Sequence, residues 1–439
     1  MASSEILRAL PEPVIQAPMA GGPSTSRLAA AVSAAGGLGF LAAGYQSVEA
    51  VGADIHSVRA LTARPFGLNV FLPSNPADGA DVAFARYAQR MAPEAERLGV
   101  AVGAPCWDDD AWEAKVALAC RERVPVVSFT FGCPSAVTVR ALHAAGSEVW
   151  VTVTEPGEAA VARDAGADAL VVQGLEAGGH RASFSDEDGR GLIGLLALLR
   201  LVTARVVLPL VGTGGVADGA AVAAVLAAGA QAAALGTAFM CTPEAGTSAA
   251  HRTALQGPAH TGLTRAFSGR RARGIANRFM SDHDGHAPPG YPQVHHLTAP
   301  LRAAARERGD QEAINLWAGQ AHELTLQMPA AELVANLGAQ ARESLTSACR
   351  HARVAPESSQ SVGVLPPPTV EIKVRDDGPY RVTGPARLID AEGGEWQVES
   401  GRSVVLCRCG HSAKRPFCDG AHHGRFSSCE RAGGVGVAP

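Results

Sequence analysis

No stretch of the 439-residue chain reaches the roughly 18–20 consecutive apolar residues that a membrane-spanning helix needs. The opening MASSEILRALPEPVIQAPMA lacks the basic segment and apolar run of a secretory leader. Charge of neither sign dominates: 38 basic residues face 42 acidic ones, a formal net charge of −4. A nucleic-acid binder would show a basic stripe, and none is present. No G-x-G-x-x-G turn follows the first strand-like segment, which argues against an open dinucleotide-binding sheet. Together these absences point to a soluble protein of the cytoplasm that acts on small molecules.

Hydrophobic residues make up 47% and charged residues 18% of the chain, as in a globular protein, and the length predicts one large domain with a smaller one. Eight β-rich runs alternate with alanine-rich helical stretches. They are 14–20, 38–44, 66–71, 126–132, 149–154, 169–174, the run that ends at Gly215, and 232–240. Near-continuous apolar strands separated by helices imply a parallel sheet covered on both faces. Eight of them predict an α/β fold, a closed (β/α)₈ barrel. Helices are expected over 26–36, 158–166 and 218–229, with Ser26 or Asp218 capping a start and Gly36, Gly166 and Gly229 ending them. GVAVGA (99–104) is read as part of the long connection after the third strand, with a ninth strand as the alternative.

After Met240 the alternation stops, and 241–350 reads as a helical and irregular extension forming a lid or outer wall. Residues 351–370, rich in Ser and Pro, read as a linker. A short β-rich segment, 371–428, is too small for a core without a staple, and 429–439 is a tail. Nine cysteines occur, three of them within twelve residues of the C-terminal segment. Without a secretion signal, that clustering favours metal ligation over disulfides.

In a barrel of this kind the reactive face is built from the loops that follow the strands. Gly212, Gly214 and Gly215 follow the seventh strand, and Gly236 and Thr237 the eighth. Glycine there lets backbone N–H groups approach an anion. Ala17, Pro18 and Met19 end the first strand with small or flat surfaces, and Asn69 ends the third. Gln173, Gly178, Gly179 and His180 cluster after the sixth. Singly these are turn residues; jointly they form a polar, glycine-lined mouth.

The set QAPMAGG, AAGGLGFLAAG, PFGLNVF, SFTFGCP, GADALVVQGLEAGGHRASF, VGTGGVADG and LGTAF resembles the nitronate monooxygenase family over about residues 10–350. The resemblance implies non-covalent FMN and oxidation of alkyl nitronates by molecular oxygen. It places FMN against Ala17, Pro18, Met19, Asn69, Gln173, Gly178, Gly179, Gly212, Gly214, Gly215, Gly236 and Thr237. His180 is then the catalytic candidate, with Arg181 and Arg270 or Arg271 as sources of positive field. The sequence departs from many members after the fifth strand, where Thr154-Glu155-Pro156-Gly157-Glu158 carries no histidine base. Glu158 is read as a complement to the helix dipole, with a base role as the alternative. Deprotonation of a neutral nitroalkane is thereby put in doubt, whereas a preformed nitronate needs no base. The runner-up is a flavin-dependent enoyl-acyl-carrier-protein reductase, whose EAGGH segment is similar. A non-enzymatic alternative is a redox relay or sensor.

Cys407-Arg408-Cys409, then Ser412, then Pro416-Phe417-Cys418-Asp419-Gly420-Ala421-His422, resembles the CDGSH iron–sulfur domain without departure. The resemblance implies a [2Fe–2S] cluster, with Cys407 and Cys409 on one iron and Cys418 and His422 on the other. A Cys₃His zinc site is the alternative, although C-x-C is awkward for closed zinc coordination. His411 and His423 are expected exposed, and Cys429 free. An electron-transfer partner and a homodimer around the clusters are further expectations.

Overall fold

Each barrel strand is short and apolar, and ends where glycine or a polar residue lets the chain turn. The computed structural model describes residues 4–74, 80–187, 189–352, 370–383, 387–392, 394–396 and 403–428. Two compact units emerge, Met1–Val354 and Ala355–Pro439.

The first unit is built on eight parallel strands: β1 (Val14–Gln16), β2 (Phe40–Ala42), β3 (Gly67–Phe71), β4 (Val126–Thr130), β5 (Glu148–Val153), β6 (Ala169–Gln173), β7 (Leu210–Thr213) and β8 (Ala232–Leu235). Pairing runs β2-β3-β4-β5-β6-β7-β8-β1. A parallel bridge from Ile15 to Leu38, just ahead of β2, closes the ring. The eight runs expected from sequence are therefore the eight barrel strands. Residues 99–104 form no strand. The β3–β4 connection instead carries helices Asp81–Leu98 and Trp112–Arg121.

The barrel interior is filled by Ile15, Phe40, Val126, Trp150, Val211 and Ala232. Phe40 fits because its neighbour on β3 is Gly67, where a Cβ would fall against the Phe40 ring. Outer helices bury a continuous aliphatic layer of Leu28, Val172, Leu198, Val222 and Leu337. Several helix starts are capped by side-chain oxygens, with Asp218 accepting from Ala221 N as expected. The helix Ser26–Ala34 differs: its cap is Thr25, one residue earlier than Ser26. Gly166 ends its helix in the left-handed region at φ 98°.

The extension after β8 is not wholly helical. Thr261–Thr264 and Ala272–Ile275 form an antiparallel hairpin, and the latter also pairs with Gly179–His180. Strands of four residues, TGLT and ARGI, each with a glycine, give little period-two signal, so the hairpin is absent from the sequence pattern. Helices Gln293–Glu307 and Ala330–His351 complete the unit. No described helix is long and apolar enough to cross a membrane.

In the second unit Glu371–Val374, Tyr380–Thr383 and Val404–Leu406 form a three-stranded antiparallel sheet. Leu388–Ile389 pairs with Glu395–Trp396. Most of the expected linker (353–369) and the tail with Cys429 lie outside the described residues.

Candidate active site

Parallel strands deliver all their C-terminal ends to one face, and a cavity of ≈ 330 Å³ opens there. Its floor is the top of the barrel core, Phe40, Trp150 and Val211. Ala17, Pro18, Met19, Asn69, Gln173, Gly178, Gly179, His180, Gly214, Gly215, Gly236 and Thr237 all line it. Gly212 does not. A Cβ on Gly212 would meet Val225 and Leu199 on the outer helices, so this glycine admits helix packing. Side chains alternate along a strand, and the cavity-facing positions of β7 are Val211 and Thr213.

Gly214 and Gly215 adopt φ of 123° and 68°, which turns the backbone sharply above β7. Among the described residues the N–H groups of the half-buried Gly214, Gly215 and Gly236 make no hydrogen bond. Three unpaired donors at one end of a cavity form a cradle for an anion. Gly178 is constrained too, because a Cβ there would fall 2.5 Å from the backbone of Ala318.

Gln173 clamps the following loop: its amide donates to the His180 carbonyl at 3.1 Å and accepts from Ala182 N at 2.9 Å. The Asn69 amide donates to Ser128 Oγ and Thr130 Oγ1 at 2.9 and 3.0 Å. His180 Nε2 lies 2.8 Å from Ser268 Oγ, which itself donates to the Arg270 carbonyl. Nε2 is therefore the protonated nitrogen, and Nδ1 keeps its lone pair. Desolvation, then the nearby charges of Arg270 and Arg302, push the His180 pKa down to about 3. The imidazole is neutral at physiological pH.

Of the arginines expected to provide the field, Arg270 does so through its charge beside His180, while the side-chain hydrogen bonds of all three go to carbonyls of the neighbouring loop. Arg181 is fully buried and donates to the carbonyls of Gly191, Gly174 and Gln173. Arg270 donates to the carbonyls of Arg181 and Ser183 and lies 4.2 Å over the Phe131 ring. Arg271 pairs with Asp186 at 3.3 Å. All three staple the 174–190 loop, and none lines the cavity. The cavity cations are Arg302 and Arg306 instead, from a helix read only as extension. Arg302 donates through Nε to Thr298 Oγ1 at 3.1 Å and through Nη2 to the His295 carbonyl at 2.8 Å. Burial lowers its pKa to about 10. Among the described residues no aspartate or glutamate lines the cavity, so its field favours anions. The i, i+4 spacing of Arg302 and Arg306 is the available signal, since it puts both on one helix face.

Glu158 is not in the cavity lining. Its carboxylate accepts from Thr154 N, Thr154 Oγ1, Glu155 N and Phe184 N at 2.6–3.2 Å, closing a capping box. Three of these bonds fall on Oε2 and one on Oε1, burial raises the pKa of the carboxyl, and the group holds the helix start from outside the cavity lining. Glu158→Gln should cost about 1–2 kcal/mol of stability and leave kcat nearly unchanged, as denaturant melts and steady-state rates would show.

In the second unit Cys407 Sγ and Cys409 Sγ lie 3.8 Å apart, and Cys418 Sγ lies 3.3 Å from His422 Nδ1. Two thiolates about 2.3 Å from one tetrahedral metal stand about 3.8 Å apart. Among the described residues no three or more His, Cys, Asp and Glu gather as around a single ion. The donors form two pairs, which suits a two-metal centre. A backbone N–H from Ser412 holds the Cys407 thiol below its ordinary pKa, favouring the ligating thiolate. His411 and His423 are both exposed, as expected.

Comparison with known proteins finds a family match for each unit. The nitronate monooxygenase family profile matches residues 4–340, and that of the iron-binding zinc finger CDGSH type matches 377–423. A nitronate monooxygenase from Pseudomonas aeruginosa is 43% identical over 343 residues, 75% of this chain and 96% of that protein. A nitroalkane oxidase structure from Streptomyces ansochromogenes is 46% identical, with a TM-score of 0.77 over 79% of this chain and all of that one. FabK from Thermotoga maritima is similar at 25% identity and a TM-score of 0.63, over 79% of this chain and 98% of that one.

Proposed function

The chain belongs to the nitronate monooxygenase family, and we propose that it is an FMN-dependent enzyme that oxidises alkyl nitronates with molecular oxygen. The observation that carries the reading is a cavity that, among the described residues, has unpaired N–H donors at one end, two arginines in its wall and no carboxylate. Both guests the reading requires, the FMN phosphate and a nitronate, are anions.

Gly214, Gly215 and Gly236 would hold the phosphate through their free N–H groups, with Thr237 beside them. Ala17, Pro18 and Met19 would face the ring system, and Asn69, Gln173, Gly178 and Gly179 would complete its surround. Bound FMN supplies the electron transfer from nitronate and the reaction with oxygen. The protein binds, orients and keeps water out. Arg302 and Arg306 attract the nitronate, and His295 accepts from Arg302 Nη2 at 3.3 Å through Nδ1, which leaves its Nε2–H as a donor. His180, packed against Phe131, Tyr291 and Trp317, shapes the site as a neutral group. A histidine of pKa about 3 is a weak base, and Glu158 is committed to its helix. The expected substrate is therefore the ionised nitronate, with the neutral nitroalkane consumed far more slowly. Oxygen uptake by purified protein given each form separately tests this; equal rates would overturn it.

His180→Ala should keep its flavin and lower kcat/KM through loss of the packed wall of the site. Because the His180 pKa is lowered from 6.5 to about 3, the free enzyme carries it neutral from about pH 8 down to about pH 5. The kcat/KM profile for a nitronate should show no histidine inflection in that window. An inflection near the ordinary histidine pKa of about 6.5 that disappears in His180→Ala would contradict the assignment.

For 371–428 we propose a [2Fe–2S] cluster held by the Cys407–Cys409 and Cys418–His422 pairs, serving as a redox centre. A visible spectrum of the isolated protein, in which flavin and cluster absorb differently, tests both cofactors at once.

A further inference from the structure

The substrate cavity has a neighbour of ≈ 380 Å³, lined in part by Asp108, Asp110, Tyr291 and His296. The two cavities share Tyr45, Phe71 and His295, so these three side chains form the wall between them. Tyr45 joins the other two. Its ring stacks on His295 at 4.2 Å and 7°, meets Phe71 edge-on at 5.6 Å, and its hydroxyl accepts from Tyr291 at 3.0 Å.

The Tyr45 backbone is left-handed, φ 67°, a conformation that a bulky side chain rarely adopts. It is held by a hydrogen bond from Tyr45 N to Asp110 Oδ1 at 3.1 Å. The same oxygen lies 2.7 Å from Lys115 Nζ, whose side chain is fully buried. Asp110 and Ala111 are themselves left-handed, at φ 54° and 52°. Tyr45 and Asp110, strained residues on two separate loops, thus meet at one carboxylate oxygen, and Ala111 beside them is held by its N–H to Asp109 Oδ1. Such strain persists only where the surroundings over-determine it, and it gathers at functional sites. A buried lysine paired with one carboxylate adds little net stability. What it does is fix Asp110 Oδ1, and through it the Tyr45 ring.

We propose that Tyr45 is a specificity-determining residue: it closes the substrate cavity against its neighbour and so limits the chain length of the nitronate accepted. Asp110 and Lys115 are positioning residues that hold Tyr45 in the wall. The proposal rests on the first cavity being the nitronate site. With Tyr45 displaced, a longer alkyl chain passes into the second cavity and gains apolar contact with Phe71 and Leu72, which also line it.

The test uses the flavin-loaded full chain and the nitronates of nitroethane and 1-nitrohexane. Tyr45→Ala should move the long-to-short ratio of kcat/KM toward the long substrate by about tenfold or more, the usual scale for hydrophobic pocket discrimination. Asp110→Asn combined with Lys115→Met, which leaves no lone buried charge, should move the ratio the same way by a smaller factor. The triple variant should go no further than Tyr45→Ala alone. If the double variant does not fold, Asp110→Glu keeps the charge but moves the oxygen, and should give a partial shift of the same sign. An unchanged ratio in Tyr45→Ala overturns the partition. A shift from the pair that adds in full to that of Tyr45→Ala overturns the positioning role. Dissociation constants of butanoate and octanoate, read from the flavin spectrum, give the same length ratio without turnover. Wild type that binds these carboxylates but oxidises neither nitronate refutes the proposed reaction and leaves the partition to be judged on the binding ratio.

Discussion

Gly215→Asp should purify as a folded protein with almost no flavin and no turnover above the flavin-free background. Three effects act together at this position. At φ 68° a residue with a Cβ carries about 1–2 kcal/mol of backbone strain. The new Cβ would fall 2.9 Å from Glu176 Cβ, which forces that loop to move. The largest effect is charge: a carboxylate about 4 Å from a phosphate is repelled by about 4 kcal/mol at an effective dielectric of about 20. That alone weakens binding by about 10³-fold. The control is Gly146→Asp. Gly146 is also left-handed, at φ 87°, with open space for 4 Å around the point where a Cβ would sit, and it lies outside the cavity lining. It should show the strain and keep the flavin. Flavin content by absorbance after gel filtration separates the two. Full occupancy in Gly215→Asp would remove the loop after β7 from the phosphate site.

The barrel is legible in the sequence because its strands are buried on both faces. Burial on both sides makes an apolar run, and the helices between carry their own caps and glycine stops. The glycine loops are legible for a related reason, since a backbone donor aimed at an anion needs a residue without a side chain. What escapes depends on direction. Arg181, Arg270 and Arg271 resemble cavity cations from their place beside His180 or their charge, but an arginine near a site can equally bond the carbonyls of its own loop. Arg302 and Arg306 sit far along the chain, and only the packing of helix Gln293–Glu307 brings them to the cavity. Gly212 groups with Gly214 and Gly215 by adjacency, although strand alternation turns it toward Val225 and Leu199. Tyr45 and Asp110 carry no motif. Their importance lies in a left-handed backbone held by a buried ion pair, which no pattern of residue types announces.

In the C-terminal unit, His422→Cys should retain a cluster and lower its midpoint potential by about 100 mV or more. Histidine is neutral when it ligates through one nitrogen, whereas cysteine brings a negative charge that stabilises the oxidised state. Replacing two thiolates by two imidazoles separates plant-type ferredoxins near about −400 mV from Rieske centres at about −150 to +300 mV, so one exchange should cover a sizeable part of that gap. The geometry permits the exchange because His422 Nδ1 already lies 3.3 Å from Cys418 Sγ, close to the spacing of two donors on one metal. Cys409→Ala removes half of the other pair and should lose the cluster outright, bleaching its visible absorption. A redox titration followed by absorbance and electron paramagnetic resonance reads both variants. A potential unmoved by His422→Cys would take His422 out of the ligand set. A colourless wild-type protein containing one zinc per chain would replace the two-iron centre with a single-ion site, and the two separate donor pairs, 3.8 and 3.3 Å across, would then have to close around one metal.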